Sequence, residues 1–302
     1  MNQDIFNLKG FNSVHDPTIS NEILDGVVEF FDWGLLQKGN FFNVTLGELD
    51  REGKDLSLLN HSESKGIPIG RAWEGNCPNW VWQSGIGYTP APIVADGIYL
   101  NDTFLPLNNT TNPYHIDYYN GRVIFDMAQD PISKVQVEHA HKWINVEYAN
   151  SFDGMKSVQT EGDKLPPELT IKLPVLAVEV VSRNKMTGYE LGGGQLVETM
   201  VLFHCIARDE PTRNRMVDIV SYQNEKSIFT FDSVKIAKNG DFPIDHRGFP
   251  TPGALNFRDL VIKYPRYKLR FSNLKTSDMK MEANTLFGAT VKMDVELIKH
   301  DI

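Results

Sequence analysis

The stretch Asn112-Pro-Tyr-His-Ile-Asp-Tyr-Tyr-Asn-Gly-Arg-Val-Ile-Phe-Asp126 constrains this chain more than any other, because two alternating runs of β-formers flank an Asn-Gly pair. A two-residue type I′ loop needs positive φ at both central positions, which Asn and Gly tolerate best, so Asn120-Gly121 predicts a tight antiparallel hairpin. Gly97-Ile-Tyr-Leu-Asn-Asp-Thr-Phe104 repeats the pattern with Asn101-Asp102 at the bend. Ser133 to Tyr148 follows, and places Val135, Val137, His139, His141 and Trp143 on one face if it is a continuous strand. These runs predict an antiparallel β-sandwich or partly open barrel.

Ahead of the hairpins, residues 1–19 show no period and read as an extended arm. Ser20 or Asn21 then caps a helix whose Ile23, Leu24, Val27, Val28, Phe31 and Leu35 recur at helical spacing, with Gly39 as the stop. Asp25, Glu29 and Asp32 take its other face, so the apolar stripe docks on a sheet. Residues 40–89 lack a period and hold Trp73, Trp80 and Trp82, which serve either as a core plug or as a platform for a sugar or a partner.

A shift in composition over 151–167, ending in Pro166-Pro167, marks a boundary. Beyond it Pro174–Val181 and Thr199–Ala207 read as buried strands. Asp209 or Glu210 opens a helix with Pro211 in its first turn and Met216, Ile219 and Val220 as its stripe. Phe229–Ile236, Tyr267–Phe271 and Leu286–Ile298 read as strands, and 241–256 as a long Pro/Gly-rich loop. The expected class is mostly β with α+β: an arm (1–19), an amphipathic helix plus β-sandwich domain (20–152), a linker (153–170) and an α+β domain (171–302).

The 302 residues suffice for two cores, and the net charge of −9 is uneven. Residues 1–150 hold 19 Asp+Glu against 9 Lys+Arg, a balance of −10, and residues 151–302 hold 20 against 21, a balance of +1. The first half should therefore repel nucleic acid. Cys77 and Cys205 are too far apart and too few to suggest a disulfide framework, and read as small core groups in a reducing compartment. No secretory signal and no spanning apolar run is recognised, so a soluble protein is expected.

Candidate chemistry is sparse. His139-x-His141 puts two imidazoles on one strand face, but a zinc site needs a third ligand and none lies near in sequence. Leu191-Gly-Gly-Gly-Gln-Leu196 leads into a strand where a phosphate loop would open a helix, and reads as a β-turn. Asp245-His246 and His15-Asp16 are adjacent pairs that seldom converge on one reacting atom. Lys263, Arg266, Lys268 and Arg270 form a basic patch, read as a solvated or subunit-facing rim more readily than as a phosphate site. No catalytic, cofactor-binding or metal-ligating residue is assigned, and no enzyme is expected.

Leu173-Pro-Val-Leu-Ala-Val-Glu-Val-Val181, the Tyr189-Glu-Leu-Gly-Gly-Gly194 turn and the Phe203–Val220 strand and helix resemble the core of tailed-phage tail-terminator and neck proteins. The Ile23–Phe42 helix segment and the Gly97–Asp126 hairpins are similar to parts of phage virion structural proteins. What the resemblance implies is a tail-terminator-like second domain and a structural subunit in a homo-oligomeric ring, commonly sixfold, at the head-tail connector or tail terminus. Its neighbours would be portal and tail-tube proteins, its location the virion after synthesis in the host bacterial cytoplasm, with no membrane contact. DNA would pass only transiently, along an acidic lining. A carbohydrate-recognising tail module built on Trp73, Trp80 and Trp82 is the alternative.

Overall fold

The structure is a computed structural model and describes residues 19–35, 43–45, 56–62, 67–75, 78–82, 93–149, 173–188, 195–251, 253–279 and 286–299. The protein is mostly β, with two curled sheets, one antiparallel and one mixed, and a few helices. It divides into two compact units, each drawn from separated stretches: residues 1–32, 144–232 and 261–302 in unit 1, residues 33–143 and 233–260 in unit 2.

Unit 2 is built on a seven-stranded antiparallel sheet. A short strand β1 (Asn43–Thr45) stands outside it, and the sheet takes β2 (Leu56–Ser62), β3 (Ala72–Glu74), β4 (Gly97–Leu100), β5 (Thr103–Pro106), β6 (Tyr114–Asp117), β7 (Arg122–Phe125) and β8 (Val135–Glu138) in the order β5-β4-β8-β2-β3-β7-β6. β2 turns the corner, because Leu56–Leu59 pair with β8 while Asn60–Ser62 pair with β3. Every strand sends at least one side chain into a single core, among them Leu59, Trp73, Ile98, Leu105, Ile116, Phe125 and Val137. The sheet curls so far that its two edges meet, where the Tyr114 hydroxyl of β6 donates to the Leu105 carbonyl of β5 at 3.0 Å. Of the two architectures the alternation allows, sandwich or partly open barrel, this curled sheet corresponds to the second.

The hairpins carry a correction. Asn101 and Asp102, at φ 49° and 65°, form the two-residue loop, with Leu100 opposite Thr103. At Asn120-Gly121 the last strand pair is Asp117 with Arg122, so the loop has four residues and only Gly121 (φ 67°) is left-handed. Tertiary bonding favours the longer loop: the Tyr118 and Tyr119 carbonyls accept from Trp80 N at 2.8 Å and Asn79 N at 3.0 Å, and the Asp117 carboxylate accepts from Asn120 and Arg122.

The run after β8 is not continuous. It breaks at His139 and resumes as β9 (Ala140–Lys142), which pairs with β1. The break separates Val135 and Val137 from His141, so the expected five-residue face does not form.

Unit 1 joins helix α1 (Ile19–Asp32) to a six-stranded sheet, β10-β11-β12-β15-β14-β13, of β10 (Asn145–Tyr148), β11 (Val175–Gly188), β12 (Gln195–Ala207), β13 (Ser227–Phe231), β14 (Pro265–Met279) and β15 (Phe287–Lys299). Only the β10–β11 pair is parallel. α1 starts a residue or two before its expected cap and buries the expected Ile23, Leu24, Val27, Val28 and Phe31, and also Phe30. Helix α2 (Glu210–Ser221) matches its reading: the Asp209 carboxylate caps Thr212 N at 2.8 Å, and Met216, Ile219 and Val220 are buried. Burial of each large apolar side chain contributes about 2 kcal/mol.

Two sequence expectations fall elsewhere, and one helix is new. Residues 233–236 are not strand but the start of α3 (Ser233–Asn239), since β13 stops at Phe231. α4 (Phe257–Lys263) directly follows the 241–256 loop. The helix 19–32 belongs with the second-half sheet, because its stripe packs there and β10 pairs with β11. The arm, 1–18, and the linker, 153–170, lie outside the described residues.

The 241–256 loop is an internal part of unit 2. Asp245 Oδ1 accepts from Arg247 N at 2.8 Å and Phe249 N at 2.9 Å, Phe249 is buried against Tyr114, and Arg247 O accepts from Ile116 N on the β6 edge at 3.1 Å. Gly248 makes the approach possible, with φ +79° and its Cβ direction only 2.3 Å from Ile116 O. Gly248→Ala is expected to cost about 2 kcal/mol by combining a left-handed φ with a backbone clash. A urea titration followed through unit 2 tryptophan fluorescence checks it.

Candidate functional site

In unit 1 the pleat separates a dry face from an open one. Val197, Thr199, Val201, Phe203, Cys205 and Ala207 of β12 alternate inward and are buried, as are Ala289, Val291, Met293, Val295 and Leu297 opposite them. Phe31 of α1 meets this face at Phe203 (4.9 Å between centroids) and Phe271 (6.3 Å). α2 covers the same side: its Arg213 reaches Asp278 at 2.7 Å, and Asp278 pairs with Ala289 in register. Cys205 is fully buried there, and burial pushes its thiol up to about 12, so it is inert at neutral pH. Cys77 lies outside the described residues.

The opposite face is half-exposed and polar. Register sets its rows: Lys185, Glu198, Glu296 and Arg270 lie side by side on four neighbouring strands. Lys185 binds Glu198 at 3.0 Å, and Arg270 binds Glu225 at 3.1 Å with Glu296 at 3.9 Å. Three rows on, His204 contacts the Glu179 carboxylate through Nε2 at 3.1 Å and Thr290 Oγ1 through Nδ1 at 3.2 Å. Between them, where β14 bulges at Ser272–Lys275, a cavity of about 300 Å³ is lined by Glu198, Thr199, Met200, Ser272, Asn273, Asp294 and Glu296. Hydroxyl, imidazole and carboxylate thus meet in line. Around Thr290 the backbone of β12 and β15 is paired in the ladder.

Two stretches of this sheet's margin have no strand beside them among the described residues. β10 pairs only with Val175–Val178, which leaves Glu179–Gly188 of β11 as an outer edge. β13 pairs with β14 no further than Arg270, which leaves Lys275–Met279 as the edge on the other side. Sequence reading treated Thr199–Ala207 as a wholly buried strand and so missed this face; Glu198 and His204, alternating with Val197 and Phe203, are the signal that could have found it.

The residues singled out from sequence go elsewhere. Trp73 and Trp80 are 1% and 0% exposed and sit in the unit 2 core, while Trp82 is half-buried and stacks on Trp33 at 4.6 Å. Neither Trp73 nor Trp80 can offer a ring face to a sugar. His139 and His141 are both buried, and among the described residues no three His, Cys, Asp or Glu are placed to share a metal ion. Asp245 is used in its turn, beside an exposed His246. His15-Asp16 and the Gly192–Gly194 run lie outside the described residues. The basic patch is dispersed: Arg266 binds Glu22 at 2.6 Å, Lys268 lies over Phe229, Lys263 over Tyr264, and Arg270 is paired. No described helix is long and apolar enough to cross a membrane.

No family model, no curated protein and no solved structure matches the chain. The surface therefore has to be judged on its own geometry.

The outer side of α1 concentrates negative charge. Burial, then Asp25, push the Glu29 carboxyl up to about 8 against a weaker pull from Arg266. Burial, then Asp25, Glu29 and Asp32, push Tyr148 up to about 12. A carboxyl whose folded pKa lies above its unfolded 4.5 carries stability that is complete below that pH and lost as pH rises toward 8. Glu29→Gln is accordingly expected to stabilise unit 1 by about 4 kcal/mol at pH 8 and to change little at pH 4.5. Thermal melts of both proteins across that range check the sign.

Proposed function

We propose that this protein is a structural subunit of a tailed-phage virion, forming a homo-oligomeric ring at the head-tail connector or tail terminus between portal and tail tube. The observation that carries the reading is a pair of margins with no strand beside them among the described residues, Glu179–Gly188 and Lys275–Met279, on opposite sides of one sheet. A head-to-tail ring needs two different complementary surfaces per subunit, and strand margins are ready templates for pairing with a neighbour. A polar, salt-bridged sheet face suits a surface that meets water or a polar partner in the assembly. The acidic balance of the first half supports the idea of a lining that lets DNA slide past unheld.

In this reading the protein works by presenting surfaces, and lies in the virion after synthesis in the host cytoplasm. Native mass spectrometry of the purified full-length chain, with electron microscopy of particles from infected cells, tests it. Closed rings of one copy number, or a monomer that appears in particles at a fixed multiple per virion, are expected. A monomer missing from particles, or turnover of a substrate by the pure protein, overturns it.

A further inference from the structure

His139 and His141 occupy an unusual position in unit 2. They are 2% and 8% exposed, and His139 sits in the break between β8 and β9 with its ring 4.2 Å from that of the fully buried Trp80, tilted 36°. Among the described residues the His139 ring finds only the Val137 backbone as a weak partner, and Nδ1 of His141 finds none. Buried polar nitrogens are nearly always well satisfied, so two rings held this sparsely beside a bonded backbone call for a reason. That backbone is well tied: Val81 N donates to Ala140 O at 2.8 Å, Lys142 N to Asn79 O at 2.9 Å and Ala140 N to Ile93 O at 2.7 Å, and Trp80 bridges His141.

We infer that this pair is an acid-operated latch: as neutral rings the two histidines hold the Trp80 segment (78–82) against β9, and as cations they release it. A neutral imidazole packs on an indole as a flat, weakly polar plate, whereas an imidazolium in the same place is short of acceptors and, among the described residues, has no counter-ion. Among the described residues, the charged or titratable groups on the elements packed around the pair are Glu138 and Lys142 in the same run, Tyr118 behind Trp80, His61 on β2 and Asp96 beyond Ile93. His61 is engaged with Gly70 N, and Tyr118 is buried. None holds a proton on the pair: burial first, then the other ring, pushes His139 down to about 4, with the Val137 backbone opposing only in part, and burial alone pushes His141 to about 4.

The sign follows from linkage. A histidine whose folded pKa lies below its open-state 6.5 binds its proton preferentially in the open state, so closure weakens as pH falls from about 6.5 toward 4. At pH 7 the two rings together shift the opening equilibrium by less than about twofold. At pH 5 each contributes about 30-fold, or about 900-fold jointly.

Hydrogen exchange of the full-length protein, read by mass spectrometry between pH 7.5 and 5 and corrected for the intrinsic rate, tests this. The expected result is a loss of protection of two to three orders of magnitude (roughly, from the same linkage) in peptides covering 78–82 and 140–145, with β12 and β15 unchanged, and retention of protection at pH 5 in a His139→Phe/His141→Phe double variant. Protection independent of pH, equal loss across the whole chain, or loss that persists in the folded double variant overturns the latch. Should the double variant not fold, NMR titration of the imidazoles in the natural protein decides: resonances that titrate near 6.5 without opening of this region overturn it, and rings that stay neutral until the region opens support it.

Discussion

The dry face of the unit 1 sheet is the constraint from which the rest of that unit follows. β12 and β15 run antiparallel over thirteen residues, and every inward position of β12 from Val197 to Ala207 is buried. A one-residue slip in register would send Glu198, His204, Asp294 and Glu296 inward, so the pleat itself fixes the pairing. α1 has to lie on this side, since Phe31 has nowhere else to bury its ring, and the Glu22–Arg266 pair at 2.6 Å then sets where along the sheet it rests. With Glu22 and Arg266 only 11% and 26% exposed, removing either alone would leave a largely desolvated charge. Because both α1 and α2 serve the same face, the other is left to polar side chains.

Unit 2 solves a different problem. Its strands are mostly three or four residues long, too short to be stable unless they share a core, and the sheet obtains one by curling until β5 and β6 nearly meet. Curling leaves gaps at the rim, and irregular segments fill them. Trp80 enters from 78–82 beside His139, and Phe249 enters from the 241–256 loop over Tyr114. The loop also satisfies the Ile116 amide, so one excursion supplies both an apolar plug and a hydrogen bond for an edge strand.

What could be read from sequence was whatever is decided within about ten residues. The stripes of α1 and α2, the Asp209 cap and the existence of both hairpins are local, and all are present. What escaped is decided by distant partners. Asn120-Gly121 has the better type I′ composition, yet Asn101-Asp102 makes the two-residue loop, because the 78–82 segment claims the carbonyls of Tyr118 and Tyr119. β10 pairs in parallel with β11 across a gap of 26 residues, from Tyr148 to Val175, and no local pattern announces this. The tryptophans were ambiguous for the same reason: an aromatic in an irregular segment is a plug or a platform according to what curls around it. The open face was hidden by composition, since Met200 and Leu202 make β12 look apolar on both sides although they face outward.

The margins of the unit 1 sheet show how an exposed strand can be selective. A long, flat, apolar edge would pair with any extended chain, whereas β14 leaves its last pairing through a bulge and carries Lys275 and Asp278, and β11 carries Glu179 and Lys185 with a register shift between Val181 and Lys185. Charges and bulges of this kind block indiscriminate strand addition. They do not block a neighbour whose own irregularity and charges match, and for such a neighbour they fix the register. The same features thereby restrict which surface could pair with either margin. A component of the proposed ring would need that combination, to remain separate until assembly and then to join in one orientation only.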